Sequence, residues 1–305
     1  MAAGGVEIRT RAGFVGLAGR PNVGKSTLAN AIVGAKVAIV SDRPQTTRRA
    51  IRGIATDPAR QWQMVLVDLP GVQRPRDELT QRMQGRLERE LEDADVVLLV
   101  IDGEQGVGPG DRFIARALLG ARGDTSVVCA VNKTDRLRDP AIAEVLVEVE
   151  ALAVVDEIFP VSAKRGSGIA PLVERLVELL PQGPLLYPPG ERTDAPRDVQ
   201  LAELIREQVL RRTHDEIPHS VEVMVTDVER REDGLVEVHA EVWAETESQK
   251  GILVGRGGKM VRDVGAAARR ELERELRARV YLDLQVRARR HWRRDEALLD
   301  RLGIE

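Results

Sequence analysis

The sequence predicts an α/β domain with a mostly parallel sheet and helices on both faces, followed by a smaller α+β domain. Up to about residue 180, short apolar runs alternate with longer amphipathic segments, the pattern typical of repeated βαβ units. Beyond a proline-rich stretch, the predicted elements run helix, strand, strand, helix, helix and strand. The 305 residues, of which 43% are hydrophobic, suffice for two domains with separate cores.

The first domain is predicted to span residues 10–180. Its strands are apolar runs bounded by polar or turn-forming residues, and a helix is predicted after each of them. The strands are at 14–18, 63–68, 96–102, 126–131 and 157–161, and helices include 25–33, 77–92 and 169–180. In such a sheet, binding residues collect at the carboxyl ends of the strands.

A proline-rich segment separates the two domains. Five of the fifteen prolines lie within residues 181–196, a composition typical of an interdomain linker. The second domain, residues 197–305, is predicted to contain a short helix and a glycine loop between its second strand and its long helix. Its other elements are helices at 199–212 and 259–277 and strands at 221–229, 235–244 and 280–287.

Composition argues against a membrane-spanning protein and against one stabilised by disulfides. The longest aliphatic run, residues 96–101, is far shorter than the roughly 20 residues that span a bilayer. The single cysteine, Cys129, lies in an apolar run and has no partner for an intrachain disulfide. We therefore expect a cytoplasmic protein that is soluble or at most peripheral to a membrane.

The net charge of −3 hides a basic region near the C-terminal end. Residues 248–294 hold 14 Lys and Arg against five Asp and Glu. Such a segment is either a nucleic-acid contact or an ordinary solvated helix face. Only six of the 46 basic residues are lysines, and three of the six fall in the nucleotide motifs described next.

A phosphate-binding loop is predicted between the first strand and the first helix. Residues 19–27 contain the pattern G-x-x-x-x-G-K-[ST], which ends at Ser26, in its expected context. Glycines let successive N–H groups point at the phosphates, and the helix N-terminus adds partial positive charge. Lys25 is predicted to contact the β and γ phosphates, and Ser26 to ligate Mg²⁺. The predicted nucleotide contacts are Gly19, Arg20, Pro21, Asn22, Val23, Gly24, Lys25, Ser26 and Thr27.

A second part of the predicted nucleotide site is Asp68-Leu69-Pro70-Gly71, at the end of the strand 63–68. The carboxylate of Asp68 is predicted to hold Mg²⁺ through its water shell, and the N–H of Gly71 to contact the γ-phosphate. Leu69 and Pro70 are included among the predicted nucleotide contacts.

The base is predicted to be guanine. Asn132-Lys133-Thr134-Asp135 follows the strand 126–131 and matches N-K-x-D. A carboxylate such as that of Asp135 accepts two hydrogen bonds from guanine N1–H and the exocyclic amine, whereas adenine offers neither donor there. Asn132 is expected to brace the loops and Lys133 to lie along the base. A backbone N–H of Ser162-Ala163-Lys164, after the strand 157–161, is expected to contact the guanine O6.

Together these motifs resemble those of the P-loop GTPases, and Pro44-Gln45-Thr46-Thr47-Arg48 resembles the first switch segment of Era-type GTPases in the TrmE-Era-EngA family. The resemblance covers residues 10 to 305 and implies an α/β P-loop GTPase domain that uses GTP, GDP and Mg²⁺. It implies that Thr47, or alternatively Thr46, completes the coordination of Mg²⁺ when GTP is bound.

The same resemblance bears on hydrolysis. Val72 occupies the position where many small GTPases carry a glutamine that orients the attacking water, so we expect slow intrinsic hydrolysis. Asn22 resembles the asparagine that holds K⁺ in related GTPases, although a loop brace is the alternative role. The residues assigned to catalysis are Asn22, Lys25, Thr47 and Gly71.

The second domain resembles a type II KH domain. Gly255-Arg256-Gly257-Gly258 supplies G-x-x-G between two helical segments, in the expected order of helices and strands. In such domains the glycine loop approaches the RNA backbone, and about four unpaired nucleotides are held against an aliphatic groove. The predicted RNA contacts are Ile252, Val254, Gly255, Arg256, Gly257, Gly258, Lys259 and Val261. Residues 287–294 are predicted to be a basic tail strand, whose Trp292 is either packed or an additional RNA contact.

The function expected from these patterns is a GTP-hydrolysing switch that binds single-stranded RNA. The resemblance implies that this RNA is the 3′ end of 16S rRNA and that the switch acts in 30S subunit biogenesis. We expect a monomer with no obligate protein partner, and the family implies peripheral contact with the inner face of the membrane. The alternatives are an RNA-processing or metabolic enzyme driven by GTP, and a membrane-surface GTPase that uses the basic tail.

Overall fold

The computed structural model describes residues 10–40, 51–68, 93–121, 123, 125–213 and 217–302. The chain forms two compact units. Among the described residues, those up to Asp194 belong to the first unit, except Ile39 and Val40, which belong to the second unit together with Ala195 and the residues after it. Within the described residues, no helix is long and apolar enough to cross a bilayer.

The first unit is built on a six-stranded sheet. Its strands are β1 (Arg11–Ala18), β2 (Ile51–Asp57), β3 (Trp62–Asp68), β4 (Val96–Asp102), β5 (Ser126–Asn132) and β6 (Glu157–Pro160). The strand order is β2-β3-β1-β4-β5-β6, and every pair is parallel except β2 with β3. The predicted mostly parallel sheet is thereby confirmed.

Helices cover both faces of this sheet because its central strands are apolar on both sides. Along β4, Leu98 belongs to one apolar cluster while Leu99 belongs to the other. Successive side chains of a strand point to opposite faces, so a continuous apolar run requires two cores. The helices are α1 (Lys25–Val33), α2 (Pro109–Ala121), α3 (Asp139–Glu150) and α4 (Ile169–Leu179). The clusters include residues of α1 and α4 on one face and of α2 and α3 on the other.

The edge strand β2 was not predicted. It pairs antiparallel with β3, and it contains Arg52 and Gly53, which disrupt the apolar alternation of a strand. The predicted helix 77–92 lies outside the described residues.

The proline-rich segment is bound to the first unit rather than extended freely. Gln63, fully buried in β3, donates from Nε2 to the carbonyl of Tyr187 at 2.9 Å. Its Oε1 accepts the N–H groups of Leu186 and Tyr187 at 2.7 and 2.9 Å. The N–H of Ile54 donates to the carbonyl of Arg192 at 2.8 Å. A single buried amide therefore satisfies backbone groups of a segment that otherwise pairs with strands only through isolated bridges, Arg11 with Gln182 and Gly53 with Thr193.

The second unit combines helices with a three-stranded sheet. Its elements are α5 (Arg197–Leu210), α6 (Ile217–Ser220), β7 (Glu222–Arg230), β8 (Val236–Ala244), α7 (Glu247–Val254), α8 (Lys259–Leu276), β9 (Val280–Ala288) and α9 (Glu296–Arg301). The strand order is β7-β8-β9, in which the first pair is antiparallel and the second is parallel. Residues of α5 and α8 share one apolar cluster with the three strands. The predicted α+β order is confirmed, and the short helices α6 and α9 are present in addition.

The predicted basic tail strand is wrong beyond Ala288, where β9 ends. A short 3₁₀ turn follows, in which Trp292 is completely buried against Trp243 and Leu299. The indole Nε1 donates to the carbonyl of Ser220 at 3.0 Å. Removing a buried side chain of this size costs about 3–5 kcal/mol, which outweighs the strand preference of the flanking residues. Trp292 is therefore packed, the first of the two predicted alternatives.

Candidate nucleotide site and RNA loop

The predicted nucleotide motifs converge at the carboxyl edge of the parallel sheet. The phosphate loop leaves β1, whose neighbours β3 and β4 lie on opposite sides. This is the point where the strand order reverses and where α/β sheets bind their ligands. Asp68 ends β3 and Asn132 ends β5, so both side chains lie at the same edge as the loop.

Two positions of the phosphate loop require glycine because atoms of other residues approach them closely. Gly19 has φ +151°, and a Cβ there would lie 2.5 Å from the carbonyl oxygen of Val100. Gly24 has φ +100°, and a Cβ there would collide with Nδ2 of Asn132. Side chains at these two positions would displace the loop from the sheet.

Lys25 begins α1 and is 6% exposed. Its Nζ donates to the carbonyls of Gly19 and Arg20, each at 3.0 Å. Burial lowers the pKa of this ammonium to about 8, and the nearby carboxylate of Asp68 partly opposes that shift. The cationic group is thus held inside the loop that it is predicted to serve.

The residues described at the predicted Mg²⁺ position fit a hard cation. Ser26 offers a hydroxyl at the start of α1, and Asp68 offers a carboxylate that is 1% exposed. Oxygen ligands from one or two side chains, completed by phosphate and water, are what Mg²⁺ prefers. The remaining predicted residues of this part of the site, Thr46, Thr47, Leu69, Pro70 and Gly71, lie outside the described residues, as does Val72.

Asn132 joins three loops with one residue. Its Nδ2 donates to the carbonyl of Val23 at 3.0 Å, and its Oδ1 accepts the N–H of Ala163 at 3.0 Å. Its backbone carbonyl accepts the N–H of Gly103 at 2.8 Å. The expected brace is therefore present, and Asn132 is only 2% exposed.

Lys133 is held in place from two directions. Its Nζ donates to Oδ2 of Asp102 at 2.6 Å and to the carbonyl of Asn22 at 2.8 Å. Asp102 was not predicted as part of the site. Its position was a usable signal, because it ends the apolar strand β4 in the same way that Asp68 ends β3.

Asp135 lies within the loop that is predicted to bind the base. Its Oδ1 accepts a hydrogen bond from Ser162 Oγ at 2.6 Å, and Arg165 Nε is 3.7 Å from Oδ2. The hydroxyl of Ser162 is the main reason that the pKa of this carboxyl is below its usual range. An ionised Asp135 is what two accepted hydrogen bonds from guanine require. Lys164, next in this loop, is exposed.

The predicted RNA loop is shaped by its glycines. Gly255, Gly257 and Gly258 have φ values of +71°, +60° and +74°. A Cβ at Gly255 would lie 2.7 Å from Met260 Cβ, whereas a Cβ at Gly257 or Gly258 would meet nothing within 4 Å. The backbone at the two later positions is therefore open to an approaching molecule.

The surroundings of this loop suit a polyanion beside apolar bases. Arg256 and Lys259 are exposed, and Ile252 is exposed by 51% despite its size. Val254 and Val261 are partly exposed. Arg262, which was not predicted, donates to the carbonyls of Gly257 and Gly258 at 2.9 and 3.2 Å and so supports the loop.

Comparisons with known proteins agree with both halves. The profile of the family described as 50S ribosome-binding GTPase matches residues 14–133, and that of the KH domain matches residues 216–293. GTPase Era of Mycolicibacterium smegmatis is 45% identical over 96% of this chain and 99% of its own length. GTPase Era of Mycobacterium tuberculosis strain H37Rv is 46% identical over 96% and 98%.

Solved structures give the same result. A crystal structure of Era in complex with MgGDPNP and nucleotides 1506-1542 of 16S ribosomal RNA matches with a TM-score of 0.92. That match has 31% identity and covers 97% of this chain and 99% of the other. A single-substitution variant of Aquifex aeolicus Era bound to GDP.AlF4- matches with the same TM-score, identity and coverage. Since both domains and nearly the whole length agree, this chain belongs to the Era family of GTPases.

Proposed function

We propose that this GTPase is a switch for single-stranded RNA, whose target is the 3′ end of 16S rRNA during 30S subunit biogenesis. The observation that carries the proposal is the open glycine backbone at Gly257 and Gly258, flanked by exposed cations, in a chain that also holds a guanine-nucleotide site. A relative of the same two-domain structure is bound to both MgGDPNP and a 16S rRNA segment, which supports this choice of ligand and target.

Residue roles in the nucleotide site form part of the proposal. Lys25 contacts the β and γ phosphates, and Ser26 and Asp68 hold Mg²⁺, with Thr47 completing its coordination. Bound Mg²⁺ supplies charge neutralisation of the phosphate oxygens. Asp135 accepts from guanine, and Gly71 contacts the γ-phosphate through its N–H. Their support is the convergence at one sheet edge of those residues that the structure describes.

RNA binding is assigned to the second unit. Although the profile description of the first unit mentions the 50S subunit, that profile ends at residue 133 and excludes the KH domain. Arg256 and Lys259 meet RNA phosphates, while Ile252, Val254 and Val261 contact the bases. The division between residues 10–180, the linker 181–196 and residues 197–305 is proposed as the functional boundary between hydrolysis and RNA binding.

No observation favours a second reaction. Within the part of the chain that the structure describes, no three His, Cys, Asp or Glu residues are placed to hold a metal. Cys129 is fully buried, and burial raises the pKa of its thiol far above the ordinary range. The proposal places the protein in the cytoplasm as a monomer, with the peripheral membrane contact that the family resemblance implies.

Guanine recognition predicts a change of specificity in Asp135→Asn. The variant replaces one acceptor by a donor, and the C2 carbonyl of xanthine accepts where the amine of guanine donated. We expect the ratio of XTP affinity to GTP affinity to rise, by a factor on the order of 10⁴ at most. Titration of both nucleotides against the wild type and the variant measures this. A variant that keeps the GTP preference removes Asp135 from this role.

The lowered pKa of Lys25 predicts that nucleotide affinity depends on pH. Bound phosphate favours the protonated ammonium and so raises this pKa above about 8. Affinity for GDP should therefore be full below that pH and fall by at most about tenfold per unit as pH rises through it. Lys25→Ala should bind GDP weakly at every pH. Subtracting its pH profile from that of the wild type removes the effect of any titration of the guanine base. Parallel pH profiles would contradict the role of Lys25.

The proposed K⁺ site at Asn22 predicts a salt effect on turnover. Asn22 has φ +65°, and it lies at the surface of the phosphate loop because its side chain is exposed. If Asn22 holds K⁺ beside the phosphates, hydrolysis in K⁺ should exceed hydrolysis in Na⁺ at equal ionic strength, because Na⁺ is smaller. Asn22→Ala should remove the difference. Equal rates in both salts would leave Asn22 as a brace.

The RNA proposal predicts that Arg256→Asp with Gly257→Asp loses RNA binding and any RNA-stimulated hydrolysis. GTP affinity and intrinsic hydrolysis should stay near wild type, since the loop belongs to the other unit. Asp tolerates the backbone at Gly257, where a side chain meets no protein atom. Each phosphate contact that is lost should reduce the salt dependence by about 0.7 log units per log unit of salt.

A matched control for this variant is Arg270→Asp with Gly265→Asp. Both residues lie in α8, the charge change is identical, and a Cβ at Gly265 meets nothing within 4 Å. This control should keep most of its RNA affinity in a titration with single-stranded RNA. Equal binding by the two double variants would refute the loop assignment, and loss of GTP binding by a folded loop variant would refute the separation of functions.

A further inference from the structure

The side chain of Arg20, within the phosphate loop, lies against the segment that connects β4 to α2. Its Nη1 donates to Gln105 Oε1 at 3.1 Å, and its Nη2 donates to the carbonyl of Gly106 at 3.3 Å. Its Nε is 2.8 Å from Oδ2 of Asp111. Two nitrogens of the guanidinium therefore donate to the connecting segment, and the third is paired by charge, without a hydrogen bond, with a carboxylate in the first turn of α2.

Asp111 is an unusual partner for a surface loop, because it has no exposed area. Its Oδ2 also accepts the N–H of Gly108 at 2.9 Å, which fixes the carboxylate at the start of α2. A buried carboxylate that loses its cation is strongly destabilised, so the position of Arg20 is held by the need to neutralise Asp111.

Glycine residues make room for this ion pair. A Cβ at Gly110 would lie 2.6 Å from Cδ of Arg20, and a Cβ at Gly108 would lie 3.4 Å from Nη1. At Gly120, ten residues further along α2, a Cβ would meet nothing within 4 Å. The two glycines near the start of the helix thus fit the stem and head of Arg20.

We propose that Arg20 is a positioning residue, which fixes the phosphate loop through Asp111 instead of contacting nucleotide. The backbone carbonyl of Arg20 accepts a hydrogen bond from Lys25 Nζ at 3.0 Å. A shift of Arg20 would therefore move the group that orients the phosphate-binding lysine. Because the loop is also braced by Asn132 through Val23, the Arg20 contact fixes its other end. This inference rests on the nucleotide site proposed above.

A direct phosphate contact by Arg20 makes different predictions. If Arg20 contacted the γ-phosphate, Arg20→Ala would weaken GTP binding more than GDP binding, and Asp111→Asn would free the guanidinium for phosphate. As a positioning residue, Arg20 should affect GDP binding as well as GTP binding, because the loop and Lys25 serve the β-phosphate that both nucleotides carry. Arg20→Ala and Asp111→Asn should each weaken both by about tenfold, within the hundredfold that small displacements can cost.

The experiment measures GDP and GTP affinity, kcat and melting temperature for full-length Arg20→Ala, Arg20→Lys, Asp111→Asn and the double variant Arg20→Ala with Asp111→Asn. We expect the double variant to be no weaker than either single variant, because both changes remove one interaction. Arg20→Lys keeps the charge and should recover part of the affinity. Unchanged affinity with a lowered melting temperature, or additive losses in the double variant, would overturn the proposal.

Gly110→Ala and Gly120→Ala provide a matched pair in the same helix. Gly110→Ala should displace the stem of Arg20 and reproduce the affinity loss of Arg20→Ala without changing any charge. Gly120→Ala should bind both nucleotides as wild type does. Equal affinities in the two variants would contradict the proposal even if Asp111→Asn failed to fold. Failure of the wild-type protein to bind either nucleotide would instead refute the underlying nucleotide site.

Discussion

The geometry of the nucleotide site depends on the side-chain amide of Asn132. It is the group that holds the phosphate loop, at Val23, to the loop after β6, at Ala163. Both hydrogen bonds are buried, where an unpaired amide would cost a few kcal/mol. The amide also dictates a neighbouring residue, since only glycine at position 24 leaves space for Nδ2. Two motifs more than one hundred residues apart are therefore parts of one packed unit.

Much of this arrangement could be predicted from the sequence because each motif follows a strand. The central strand β4 was located at its observed bounds, since a fully apolar run with polar ends has few other interpretations. The edge strand β2 was missed because one of its faces is not consistently apolar and it contains Gly53. The tail was assigned the wrong structure because local strand preference cannot reveal that Trp292 has a buried site beside Trp243.

Residues that act by supporting others were the hardest to predict. Asp102, Asp111 and Arg262 belong to no recognised motif. Asp102 and Asp111 matter because of partners far away in sequence, and Arg262 matters because it supports the glycine loop that precedes it. By contrast, the assigned nucleotide residues that the structure describes lie at the expected sheet edge, because the topology of a parallel sheet brings strand ends together. The sequence also does not show which glycines are packed against other protein atoms and which face open space. The volume beside Gly24 and Gly255 is filled by the protein, whereas that beside Gly257 is open.

The buried state of Cys129 gives the molecule a practical property. It is the only cysteine of the chain, it lies inside the sheet of the first unit, and its thiol resists ionisation. Since alkylating probes react with exposed thiolates, the native fold should behave as though it carried no cysteine at all. One cysteine introduced at an exposed position would then accept a fluorophore or spin label selectively, without prior removal of the native thiol from the core. The buried native cysteine would therefore contribute no label of its own to a spectroscopic measurement.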